Sequence, residues 1–172
     1  MCSNVCTEPH LQPLTGEGIE NASDGARLDV AANGFWGGRY ERTFFDVKVV
    51  NPFASSYQNS QIQSVYKRCE RQKRQKYEAR IREVEHATFT PLIWSTSGGA
   101  GPACTWFLKR LACMLADKRD EPYSVTMAWL RCRISFSLLR ASTMCIRGAR
   151  SSKHHPVSNR SAELAQAETN FS

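Results

Sequence analysis

The chain has 172 residues, 41% hydrophobic and 23% charged, with a net charge of +7. That length and balance describe one globular domain with a real core and exclude a wholly disordered chain. No stretch reaches the roughly 18 uninterrupted apolar residues of a membrane span. Seven cysteines, odd in number, without a C-x-x-C pair and with no secretory leader before them, argue against a disulfide framework. The expected setting is nuclear or cytoplasmic, not secreted, and Cys69, Cys104, Cys113, Cys132 and Cys145 read as small core residues. Cys2, Cys6 and His10 lack the fourth ligand of a zinc site.

Residues 1–25 open with a Cys/Asn/Val stub, then Leu11-Gln12-Pro13-Leu14 as a candidate edge strand and a polar loop to Gly25. Strands are expected at about 26–32 and 43–50, joined through Gly34, Gly37 and Gly38, which suit a hairpin. Asn51-Pro52 stops the second strand. A helix at about 60–86 carries Ile62, Tyr66, Cys69, Lys73, Tyr77, Ile81 and Val84 as one stripe at helical spacing. Lys73 is the only charge in that stripe, so it should aim at the sheet.

A buried strand follows at 87–96. The glycines of Ser97-Gly98-Gly99-Ala100-Gly101 then suit either a turn or a phosphate cradle, with the turn favoured because no Walker lysine follows. Helices are expected at 103–117 and 123–148. The second has two apolar rows and should be buried on more than one side. Residues 1–150 form the domain, and the Ser/Lys/His/Asn composition of 151–172 reads as a disordered tail. The fold class is α/β, a mixed sheet flanked by helices.

Charge is unevenly spread. Residues 1–50 hold four Lys/Arg against seven Asp/Glu, whereas residues 51–150 hold seventeen against seven. An acidic front beside a basic body suits a metal-dependent nucleic-acid enzyme, and suits equally a binding module without chemistry. Within the strand Phe44–Val50, Asp46 and Lys48 share one face; Phe45, Val47 and Val49 share the other and should enter a core. The hairpin brings Asp29 toward this pair. Two carboxylates and an ammonium on one face suit a hard divalent cation and a polarised water. The same residues also fit a plain solvent-facing strand with one acid and one base as neighbours.

The order Asp29…Asp46-x-Lys48 resembles the motif of the PD-(D/E)XK nuclease superfamily. Longer segments resemble the region downstream of reverse transcriptase in animal retroelement polyproteins. They include Glu8-Pro9-His10-Leu11-Gln12-Pro13-Leu14-Thr15-Gly16-Glu17, Asp24-Gly25-Ala26-Arg27-Leu28-Asp29-Val30, Gly34-Phe35-Trp36-Gly37, Phe44–Pro52 and Arg82-Glu83-Val84-Glu85-His86. The Ser97-Gly98-Gly99 loop and Trp129-Leu130-Arg131-Cys132-Arg133 extend the likeness, which covers about residues 5–152.

The resemblance implies a restriction-endonuclease-like core with extra C-terminal helices, and a leading helix of which residues 1–8 keep only the end. It implies Asp29, Asp46 and the Val47 carbonyl as ligands of Mg²⁺ or Mn²⁺, with Lys48 positioning the attacking water. Lys73, Lys76 and Tyr77 would contact nucleic acid. The implied partner is DNA, including RNA–DNA intermediates, with no membrane association and possible homo-oligomers. A catalytically inactive nucleic-acid-binding remnant is the alternative.

Overall fold

The computed structural model describes residues 2–12 and 26–149. The tail expected from 151 and the polar loop before Gly25 lie outside them. The chain divides into two compact units, Met1–Leu139 and Arg140–Ser172. The first is α/β: strands β1 (Ser3–Thr7), β2 (Val30–Asn33), β3 (Arg42–Val50) and β4 (Thr88–Ser95), with helices α1 (Ile62–Val84) and α2 (Pro102–Arg119). A third helix, α3 (Tyr123–Ala149), begins in the first unit and supplies the described part of the second.

The four strands form one mixed sheet in the order β1-β2-β3-β4. β1 to β3 run antiparallel, and β4 lies parallel to β3, the return stroke being α1. At the hairpin, Gly34 takes φ 75° and its N–H donates to the Glu41 carbonyl, the left-handed backbone that glycine adopts without strain.

The opening residues correct an expectation. Ser3–Thr7 is an edge strand, not the end of a helix. After a break at Glu8, whose φ is 53°, an isolated antiparallel bridge joins His10 to Arg27, with Leu28 N–H donating to the Pro9 carbonyl and Leu11 N–H to that of Ala26.

Each face of the sheet is covered by different helices. α1 lays Tyr77 and Ile81 on Phe44 and Phe89, and Val65, Tyr66 and Cys69 on Val50 and Ile93. Tyr66, Cys69, Tyr77 and Ile81 belong to the stripe read from the sequence; Val65, outside it, is buried as well, while Ile62 and Val84 are half-buried and Arg68, Arg71 and Arg82 lie in water. The opposite face packs Ala32, Phe45, Leu92 and Trp94 against Cys104, Leu108 and Ala112 of α2 and Met127, Leu130 and Leu138 of α3. Phe35 stacks on Phe107 at 5.0 Å and meets Phe45 edge-on at 5.0 Å, closing that core.

β4 is the far edge of the sheet, and its sequence blunts that edge. Gly101 N–H donates to the Ile93 carbonyl and Ser95 N–H to that of Gly99, so the odd residues of β4 face outward. Pro91 belongs to that outward set and has no N–H to leave unpaired.

Three expectations on burial fail. Val47 and Val49 lie opposite Asp46 as alternation requires, yet they are 41% and 44% exposed, because the α2 and α3 core reaches Phe45, Leu92 and Trp94 but not them. The second row of α3 is exposed as well, at Val125, Trp129, Phe136 and Leu139. Cys113, Cys132 and Cys145 are exposed, and only Cys69 and Cys104 are core thiols. In each case the residue is apolar enough for a core but is not enclosed by the described elements.

Candidate functional site

β3 outruns β2, and the site lies where the shorter strand stops. Backbone groups along a strand alternate between its two neighbours. Gly34 N–H bonds the Glu41 carbonyl on one side, and Thr96 N–H bonds the Val50 carbonyl on the other. Odd residues of β3 therefore face β2 and even residues face β4. The β2–β3 ladder ends at Val30 opposite Phe45, which leaves the Val47 peptide group facing an edge with no strand.

Asp29 fills that place with its side chain. Its Oδ2 accepts from the Val47 N–H at 2.6 Å, while its own N–H donates to the Phe45 carbonyl at 3.2 Å. The Asp29 carboxylate thus sits on the peptide that joins Asp46 to Val47. It is exposed.

Asp46 is the buried member, 6% exposed on the face covered by α1. Among the described residues the cation against it is Lys73, whose Nζ lies 2.5 Å from Oδ2. Beyond that ammonium, Oδ2 has no hydrogen-bond partner among the described residues. Lys73 stands in the apolar stripe of α1, which is why the helix delivers an ammonium to the middle of the sheet. Lys48, two residues along the same face, is half-buried and has no ion pair or hydrogen bond among the described residues.

The remaining sequence candidates lie on α1. Tyr77 is buried, its ring 5.8 Å from that of Phe89. The Lys73 and Lys76 ammonium groups lie 5.6 and 4.9 Å from the centre of the Tyr77 ring. Lys76 itself is exposed. Tyr77 is thus a core ring with a cationic rim, and the two lysines are the parts of the trio nearer water.

The donor set suits a hard cation in kind, since carboxylate and carbonyl oxygens are what Mg²⁺ and Mn²⁺ take. The buried Asp46 Oδ2, held among the described residues by the Lys73 ammonium alone, is a cation-accepting position. Among the described residues no three His, Cys, Asp or Glu side chains gather into a metal-holding group. An ion here would rest on Asp29, Asp46, a main-chain carbonyl and water.

The glycine-rich loop is a turn. Gly98 N–H donates to the Ser95 carbonyl, Gly99 N–H to Ser95 Oγ at 2.8 Å, and Gly101 N–H to the Ile93 carbonyl. Those N–H groups are not free to cradle a phosphate. A Cβ on Gly99 would lie 2.3 Å from the Tyr66 hydroxyl, so the loop needs glycine to lie against α1.

One polar device escaped sequence reasoning. Glu70, across from the start of α2, accepts the Ala103 N–H at 2.9 Å and so caps that helix from another element. Burial, and then the Glu70 carboxylate, push the nearby Cys104 thiol above its ordinary range. A cap supplied from thirty-three residues away has no local signature, so no spacing rule finds it.

Comparison with family models, with curated proteins and with solved structures finds no match to this chain. No helix among the described residues is long and apolar enough to cross a membrane.

Proposed function

We propose that the chain is a DNA-binding, endonuclease-like module of retroelement type, using Mg²⁺ or Mn²⁺ held at Asp29, Asp46 and the Val47 carbonyl. The observation that carries this reading is the Asp29 carboxylate docked on the Asp46–Val47 peptide, next in sequence to a buried carboxylate whose one described polar contact at Oδ2 is the Lys73 ammonium. A divalent ion bound there would polarise a phosphodiester and acidify a bound water. Asp46 and Asp29 would hold the ion. Lys48, on the same strand face as Asp46 and without an ion-pair partner among the described residues, would orient the water and offset charge building on the phosphate. Lys73 and Lys76 on α1 supply positive charge for the DNA backbone.

The test is nicking of supercoiled and single-stranded DNA by the purified chain in Mg²⁺ or Mn²⁺, beside Asp46→Asn and Lys48→Met. Cleavage that needs the ion and is lost in both variants supports the reading, and ion-independent or absent cleavage sinks it.

A second reading keeps the fold and the basic surface without catalysis. It is favoured by the engagement of both carboxylates, Asp29 by a backbone N–H and Asp46 by Lys73. DNA binding would then persist unchanged in Asp46→Asn, without ion dependence. Its logarithmic salt slope would steepen by about 0.9 for each duplex phosphate neutralised.

A further inference from the structure

We propose that Lys73 is an exchangeable counter-ion, holding Asp46 until a divalent cation displaces it, so that metal uptake and release of the Lys73 ammonium are one event. This rests on the metal-dependent reading above and adds to it a means by which the site stays intact between turnovers.

The two partners differ in their access to water. The Asp46 side chain is 8% exposed and the Lys73 side chain 23%. Asp46 has a short side chain on the sheet face that α1 covers, the whole residue 6% exposed, so it has little reach toward solvent. Lys73 has a four-carbon stem and a partly wet position, so its ammonium can swing toward water without moving the helix. When the pair opens, the lysine is the member that leaves. Apart from the Lys73 ammonium, Asp46 Oδ2 has no polar partner among the described residues; once the lysine leaves, a second cation must replace it, because an unpaired buried carboxylate is unfavourable.

The exchange changes the charge of the face. With Lys73 on Asp46, one carboxylate and one ammonium cancel, while Lys48 has no ion pair among the described residues. A divalent ion in place of Lys73 adds two positive charges, and the freed ammonium returns toward Lys76 and the rim of Tyr77, where its ring contact already lies. Three cationic centres then border Asp46, and the anion they suit is a phosphodiester. Metal and DNA should therefore bind with positive coupling, each tightening the other by the same factor.

The experiment measures Mn²⁺ uptake by the full chain, from the loss of the free-ion magnetic resonance signal, with thermal melting in parallel. Lys73→Met should bind Mn²⁺ about tenfold tighter than the unaltered chain, and Mn²⁺ should raise its melting temperature by more. A single-stranded oligonucleotide should tighten Mn²⁺ binding to the unaltered chain, and should do so less in Lys73→Met. Equal Mn²⁺ affinity in the two proteins overturns the exchange and leaves the metal site standing. Uptake by neither protein overturns both. Uptake that survives Asp46→Asn places the ion elsewhere and overturns the exchange. Where Lys73→Met does not fold, Lys73→Arg decides: a guanidinium fork grips the carboxylate harder, so Mn²⁺ should bind severalfold more weakly, and equal or tighter binding overturns the proposal.

Discussion

The two faces of the sheet solve opposite problems. The α1 face is well covered but has a charge pair set into it, Asp46 against Lys73 between two apolar clusters. The α2 and α3 face has an apolar core built on Phe35, Phe45 and Phe107, yet its cover stops short of Val47 and Val49. One face holds polarity inside a finished layer, and the other leaves apolar surface at the end of an unfinished one. Stability should therefore rest on the second face, and chemistry on the first.

The largest expected effect lies in the apolar core. Phe45 is 3% exposed and touches the rings of Phe35 and Phe107. Phe45→Ala should lower the unfolding free energy by about 3–5 kcal/mol in urea titration. A loss below about 1 kcal/mol would mean that α2 and α3 do not anchor this face.

The charge pair comes next. Lys73→Met leaves Asp46 buried and uncompensated, and should lose about 2–3 kcal/mol, less than a fully enclosed pair because the lysine is part wet. The double change Asp46→Leu with Lys73→Met should recover most of that loss. Such recovery identifies a pair kept for function rather than stability. A double variant as unstable as the single one would make the pair a structural element and erase the contrast between the faces.

How much of this the residues announce depends on how local the cause is. The α1 stripe, with Lys73 as its one charge, is legible because helical spacing alone fixes which side chains share a face. The opposite facing of Asp46 and Val47 is legible for the same reason in a strand. Exposure of Val47 and Val49 is not, since it depends on where α2 and α3 end in space. The outer row of α3 misleads in the same way: Trp129 and Phe136 look like core, yet they stay exposed among the described residues. Asp29 was found through its spacing to Asp46, but its bond to the Val47 N–H arises from β2 being shorter than β3.

Smaller effects test the joint between α1 and α2. Glu70→Ala removes a cap supplied from another helix and should cost about 1 kcal/mol. Cys104, whose thiol is held above its ordinary value of about 9 chiefly by burial, gives this region a pH signature. A group raised in the folded state contributes fully below its unfolded value and loses that contribution as pH climbs toward the folded one. Stability should thus fall above pH 9, by at most about 1.4 kcal/mol per pH unit from this group, and Cys104→Ala should flatten the fall. A thiol reagent at neutral pH should label Cys113 and Cys132 quickly and reach Cys69 and Cys104 only on unfolding. Rapid labelling of Cys104 would show that α2 opens readily from the sheet.

The smallest effect on stability falls on the uncovered end of the second face. Val47 and Val49 are already two-fifths exposed, and Thr keeps their branched shape on a strand. Val47→Thr with Val49→Thr should therefore change the unfolding free energy by no more than about 0.5 kcal/mol. Nearby, Cys2, Val5, Val30, Phe45, Leu92 and Phe107 line a cavity of about 190 Å³ on the same face, so the exposed apolar area is larger than two valines. Apolar surface of this kind favours association between chains. Sedimentation of the unaltered chain should show mass rising with concentration, and the double threonine variant should show less of it. Equal association by both proteins would move the sticky surface to Trp129 and Phe136 on α3, and would leave the open end of β3 a feature of the site alone.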